Sequence, residues 1–158
     1  MAKDQDSVVI MKVDAETFND FLGLIEKLAE YEKLSPPDYE AKARLRRDCL
    51  SGNPRYNAFI AKIDGKYVAY IIYYFTYSSF LALPTLFIED IFVLEEYRGR
   101  GVGKEMFNFL KSVAKREGCG RIEFTVLKWN KIAQEFYEKN GAKCLEWFLY
   151  RLTKEDFS

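Results

Sequence analysis

Histidine is absent from all 158 residues of this chain. That excludes Ser-His-Asp and Cys-His chemistry, together with every zinc site that needs an imidazole. Any proton acceptor or donor must be a carboxylate, tyrosine, lysine, cysteine or water. Cysteine is sparse: Cys49, Cys119 and Cys144 are odd in number, lie far apart, and make neither a metal spacing nor a C-x-x-C pair. They read as unpaired thiols of a reducing compartment, and no metal is expected. No apolar run approaches the ~20 residues that span a bilayer. Met1 to Ser7 is too polar and charged for a secretory leader. A cytoplasmic protein with no membrane partner is expected. Charge of either sign is not in surplus, with 24 Lys+Arg against 24 Asp+Glu. A nucleic-acid partner is therefore not expected, because such binding draws on released counterions. The one basic cluster, Lys42, Arg44, Arg46 and Arg47, reads as a solvated helix face.

What is present is apolar and aromatic. Residues of these kinds make up 49% and 16% of the chain, enough for a substantial core and too much for a disordered segment. No repeat or linker interrupts it, so a single domain is expected. A first strand is predicted over Val8 to Val13, then a helix from about Ala15 to Lys33 capped by Asp14, with Phe18, Phe21, Leu22, Ile25, Leu28 and Ala29 in its apolar stripe. Pro36-Pro37 breaks the chain before a helix from Tyr39 to Leu50. A hairpin follows, Tyr56 to Ile63 and Tyr67 to Tyr77 about the turn Asp64-Gly65. Pro84 interrupts ahead of a fourth strand, Leu86 to Val93. A helix is predicted from Val102 to Arg116, a fifth strand from Arg121 to Leu127, a short helix from Lys131 to Lys139, and last strands from Lys143 to about Thr153. The order implies a mixed α/β sheet with helices on both faces.

The stretch Arg98-Gly99-Arg100-Gly101-Val102-Gly103 joins the fourth strand to the third helix. Strand, glycine loop and helix bring backbone N–H groups and a helix N-terminus together on a phosphate, and Arg98 and Arg100 add donors. A dinucleotide loop needs G-x-G-x-x-G, and here the third glycine arrives one residue early. A Walker loop needs G-x-x-x-x-G-K-[ST], and Gly103-Lys104 is followed by Glu105. The pattern that fits is [QR]-x-x-G-x-[GA], met by Arg98, Gly101 and Gly103.

That pattern resembles the acetyl-CoA loop of the GNAT N-acetyltransferases. Asn130 to Ala142, ending Phe-Tyr-x-x-x-Gly-Ala, is similar to the same family's segment after the fifth strand. Leu28-Ala29-Glu30-Tyr31-Glu32, Tyr73-Tyr74-Phe75-Thr76-Tyr77, Glu89-Asp90-Ile91-Phe92-Val93 and Trp129-Asn130 resemble the spermidine/spermine (diamine) and thialysine acetyltransferases more narrowly. The resemblance implies a mostly antiparallel α+β sheet flanked by helices, with acetyl-CoA as co-substrate and the primary amine of a small polyamine- or diamine-like molecule as acceptor, thialysine or another amino acid or peptide being the alternative. It also implies a homodimer. The implied acetyl-CoA contacts are the strand Ile91, Phe92 and Val93, the loop Arg98, Gly99, Arg100, Gly101, Val102, Gly103 and Lys104, and Asn130, Ala133 and Tyr137 further on. Tyr31, Glu32, Glu89, Asp90 and Glu146 are the implied acceptor contacts.

The residue types suit the chemistry. A primary amine with pKa near ~10.4 is protonated at pH 7 and cannot attack a thioester until a base takes the proton. Glu89 is the first candidate, directly or through water, with Asp90 second because strand alternation turns it to the opposite face unless a bulge intervenes. The leaving thiolate needs a proton in return, and the phenol of Tyr137 is the candidate donor. Backbone N–H groups around Ile91 to Val93 would hold the oxyanion. No cysteine stands where an acetyl-enzyme would need it, so direct attack in a ternary complex is expected. Between Ala142 and Trp147 the chain is shorter than the polyamine enzymes and keeps only Glu146 where they have several acids. That leaves diamines, thialysine-like amino acids and peptide N-termini open as acceptors. A CoA-binding module without catalysis is the alternative of a different class.

Overall fold

The computed structural model describes residues 7–158; of the polar Met1 to Ser7 stretch, all but Ser7 lies outside them. Residues 7–125 form one compact unit and Val126–Ser158 a second. The first unit holds a five-stranded sheet in the order β1 (Val9–Lys12), β2 (Asn57–Ile63), β3 (Lys66–Ser78), β4 (Leu83–Val93) and β5 (Arg121–Phe124). The first three pairings are antiparallel and the β4–β5 pairing is parallel. This is the mixed, mostly antiparallel sheet expected from the sequence.

Alternation along the strands sends Ala58, Ile60, Tyr70, Ile72 and Phe92 to one face, where they form a core with Phe18, Phe21 and Leu24 of α1 (Phe18–Glu32) and Cys49 of α2 (Tyr39–Leu50). Phe21 sets its edge on Tyr70, with ring centroids 5.4 Å apart. The opposite face takes α3 (Val102–Arg116), which buries Val102, Met106, Phe107, Leu110 and Val113 and lays Phe109 on Phe59 at 4.7 Å. Helices therefore cover both faces, as the patterning required.

The helix boundaries of α2 and α3 are those of the sequence reading, and α1 starts three residues later. Asp14 accepts hydrogen bonds from the Glu16 and Thr17 N–H groups and from the Thr17 hydroxyl, all within 3.0 Å. It thus caps a leading turn rather than the helix itself. Pro84 does not stop β4. It sits one residue inside the strand, opposite Tyr77, where a missing N–H is tolerated, and its carbonyl accepts from Gly120 N–H at 3.0 Å.

The second unit carries α4 (Lys131–Lys139), as predicted. The strands expected over 143–153 do not form: the described residues there make no β-ladder. Leu145, Trp147, Phe148, Leu149, Tyr150 and Leu152 give the segment the propensity of a strand. Propensity reports fitness for a pleated surface and does not supply the neighbour that a strand needs.

Candidate acceptor and acetyl-CoA site

Strand β4 departs from simple alternation at Glu89. Its partners on β3 run Tyr73–Ile88 and then Ile72–Asp90, so Glu89 is an extra residue with no opposite number. Before this bulge Leu86 and Ile88 share the face of Tyr73 and Phe75. After it, Asp90 and Phe92 share the face of Ile72 and Tyr70. Alternation alone would turn Asp90 away from Glu89, and the bulge is the exception that brings two consecutive carboxylates to the α1/α2 face.

Each meets a tyrosine of β3 on that face. The Tyr74 hydroxyl donates to Glu89 Oε2 at 2.9 Å, and the Tyr70 hydroxyl donates to Asp90 Oδ2 at 3.1 Å. Glu89 is exposed, whereas Asp90 is recessed. Burial pushes the Asp90 carboxyl up to about 6, against the Tyr70 hydrogen bond, and the charges of Glu89 and Glu32 push the same way as burial. Glu32, at the end of α1, is itself raised by burial. Burial and the Glu89 hydrogen bond lift the Tyr74 phenol to about 12, so it stays a donor at neutral pH. Three carboxylates and two phenols thus face one place, where a cation would relieve their mutual repulsion.

The raised Asp90 value makes a stability prediction. A carboxyl with a higher pKa folded than unfolded stabilises the fold while protonated, and that contribution is lost as pH rises through about 6. Asp90→Asn removes the loss. Relative to the parent, the variant is expected to gain on the order of 2 kcal/mol between pH 4 and pH 7. Urea unfolding at the two pH values checks this, and a pH-independent difference would contradict it.

Past the bulge, β4 also lacks a strand partner on its other side. β4 pairs with β5 only from Thr85–Arg121 to Ile88–Phe124, so among the described residues Ile91, Phe92 and Val93 have no β5 partner. Their outward backbone groups, the Val93 carbonyl excepted, have no ladder partner to compete with a ligand that lies along the strand. Just beyond, Gly99 (φ 73°) and Gly101 (φ 84°) adopt left-handed conformations that admit the turn into α3. Glu105 N–H is the group that closes a bond back to Gly101 carbonyl, at 3.0 Å. Val102, Gly103 and Lys104 therefore present first-turn N–H groups with no preceding helical carbonyl to meet. An opened strand edge leading to a helix N-terminus fits an extended amide arm that ends in a pyrophosphate.

Arg98 does not add its charge there. Its Nε donates to Val93 carbonyl at 3.0 Å, and its guanidinium lies 4.6 Å from the Tyr31 ring centroid and 5.8 Å from that of Phe92. The side chain ties the end of β4 to α1, and Tyr31 is part of that stack rather than of the carboxylate group. Arg100 lies over the Tyr97 ring at 5.3 Å.

In the second unit, Asn130 Oδ1 accepts from Ala133 N–H at 3.2 Å and caps α4. Tyr137 lies one turn on, its ring 5.3 Å from that of Phe136. Glu146 falls in the segment after α4 that forms no regular element. Sequence reasoning did not single out Tyr70 as the partner of Asp90. The available signal was its position four residues before Tyr74 on one strand, which puts both on one face.

Comparison with known proteins agrees with this layout. The model of the acetyltransferase (GNAT) family matches residues 21–142. The bovine (Bos taurus) thialysine N-epsilon-acetyltransferase is 34% identical over 94% of each chain. A human (Homo sapiens) spermidine/spermine N(1)-acetyltransferase-like protein 1 is 32% identical over 96% of this chain and 23% of its own length. The solved structure of the aminoglycoside acetyltransferase AAC(6')-Iy with a CoA-linked bisubstrate analogue shares the fold, with a TM-score of 0.77 at 21% identity over 94% of this chain and 99% of that one. With a match that runs from α1 through α4, over the split sheet and the glycine loop, this chain belongs to the GNAT family and is an acetyl-CoA-dependent N-acetyltransferase.

Proposed function

We propose that the chain acetylates the terminal primary amine of a small amino acid of the thialysine or ornithine type, by direct attack in a ternary complex. The observation that carries this reading is the β4 bulge, which puts Glu89 and Asp90 on one face beside Tyr74 and Tyr70. Asp90 and Glu32 hold the ammonium by charge. Glu89, exposed and oriented by Tyr74, takes its proton directly or through water. Acetyl-CoA supplies the acetyl group and departs as a thiolate. Backbone N–H groups of Ile91 to Val93 hold the oxygen that gains charge, and Val102, Gly103 and Lys104 N–H groups with the α3 dipole hold the pyrophosphate. Tyr137 returns a proton to the sulfur. Asn130, which caps α4 through Ala133 N–H, contacts acetyl-CoA together with Ala133.

Short diamines are the second reading, favoured by the number of carboxylates on the α1/α2 face. Homodimer assembly and a cytoplasmic location belong to the same reading and rest on the family resemblance and on composition.

Thiol release from acetyl-CoA tests the reading, with thialysine, lysine, ornithine, putrescine, spermidine, spermine and peptide N-termini as acceptors. Fast release with the amino acids is expected. Release with peptide N-termini alone, or with no amine at all, would overturn it.

A further inference from the structure

A recess of about 230 Å³ adjoins the carboxylates, lined by Leu45, Arg55, Tyr56, Ile72, Tyr74 and Glu89. Its two charged residues have opposite sign and come from different parts of the chain. Arg55 lies two residues before the start of β2, and Glu89 lies on β4. Asn57 of β2 pairs with Tyr73, which pairs with Ile88, so β2 and β4 lie two inter-strand spacings, about 10 Å, apart across the sheet, and the offsets of Arg55 and Glu89 along the chain add to that span. Leu45, Ile72 and the tyrosine rings make the floor between them apolar. The recess is thus acidic at one end, basic at the other, and greasy in the middle.

The basic end is in excess of its local acid. Asp48 is gripped by both arms of Arg47, at 2.9 and 3.3 Å, and Arg55 Nε stands 4.0 Å from the same carboxylate. Arg44 is nearby, engaged with Glu40 at 3.8 Å. Arg55 is anchored by its backbone, whose N–H donates to Asp48 carbonyl at 3.0 Å. Its side chain is 81% exposed. A guanidinium so placed can make a paired contact with an incoming carboxylate at little cost to existing bonds.

We propose that Arg55 is a specificity-determining residue that receives the carboxylate of an amino-acid acceptor, while the acceptor's reacting amine lies at Glu89 and its methylene chain lies over Ile72 and Leu45. The inference rests on the proposed function and adds the residue that sorts amino acids from diamines. A diamine would set a bare second cation against Arg55, whereas an amino acid brings a carboxylate beside its α-ammonium for the guanidinium to pair with.

Matched acceptors that differ only in the carboxylate test this: ornithine against putrescine, lysine against cadaverine, thialysine against its decarboxylated amine. The parent enzyme is expected to have the higher kcat/KM on the member with the carboxylate. In Arg55→Gln the loss on the amino acids is expected to exceed the loss on the diamines about tenfold, mainly through KM, which is the size of one charge-assisted contact at an exposed site. Arg55→Glu should invert the preference. Equal losses on both members, or a parent enzyme indifferent to the carboxylate, would overturn the role of Arg55 and leave amine acetylation standing. No turnover of any small amine would instead overturn the function on which it rests.

Discussion

Glu89→Gln is expected to lower kcat/KM for the acceptor by about 10²–10³-fold while leaving acetyl-CoA binding within about twofold of the parent. Glutamine keeps the shape of the side chain and an oxygen for the Tyr74 hydroxyl, 2.9 Å away in the parent. What it loses is the capacity to take a proton. The acceptor is almost wholly ammonium at pH 7, so without a positioned base only its small neutral fraction reacts. Activity of the variant should therefore climb tenfold per pH unit toward the amine's own pKa, where the parent has begun to level. Asp90 is the rival base. Its carboxyl, raised to about 6, accepts protons more readily than an ordinary aspartate, but it is recessed and one of its oxygens is held by Tyr70 at 3.1 Å. The two roles separate by pH. Asp90→Asn should raise the acceptor KM most above pH 6, where the parent carboxyl is charged, and have less effect below it. Glu89→Gln should act on kcat across the range. A loss under fivefold in Glu89→Gln, with a loss of kcat across the pH range in Asp90→Asn instead, would move the base to Asp90.

The elements that local chemistry decides were legible in the sequence. Helical spacing and the flanking breakers gave α2, α3 and α4 their observed ends, and the left-handed Gly99 and Gly101 follow from a turn that leads straight into a helix. The facing of Glu89 and Asp90 was not legible, because alternation is a rule about an unbroken ladder. Whether β4 carries an extra residue depends on how it pairs with β3, twenty residues away in the chain for the Tyr70–Asp90 contact. Arg98 shows a similar limit. The motif requires a polar residue at that place, but the residue type does not say whether its charge goes to a phosphate or, as here, to Val93 carbonyl and the rings of Tyr31 and Phe92. Arg55 was missed outright. Nothing in an Asn-Pro-Arg-Tyr turn marks it, and its interest comes only from the sheet that sets it across from Glu89. Residues 143–153 fail for the converse reason, since their apolar run satisfied a local rule with no ladder to join.

Removing one oxygen from Tyr137 should reveal the other proton. Tyr137→Phe keeps the ring and its contact with Phe136, 5.3 Å between centroids, and keeps the α4 cap made by Asn130. The turnover number should fall about 10²-fold, within the range for loss of a positioned general acid, with the acetyl-CoA KM little changed. The reason lies in relative acidities. A phenol with a pKa near ~10 is protonated at neutral pH and lies only about 1.5 units above a thiol near ~8.5, so a positioned tyrosine can donate to a departing thiolate at modest cost and regain a proton from water between turnovers. Phenylalanine leaves the thiolate to be protonated by solvent or expelled as an anion, so reversal of the transfer competes with release of products. The variant should consequently lose any fall in kcat at alkaline pH that the parent shows from ionisation of the phenol. A variant that retains more than a third of the parent kcat would return Tyr137 to the rank of a packing aromatic on α4. Proton return would then have to come from solvent, and a solvent isotope effect on kcat, present in the parent and unchanged in the variant, would identify it.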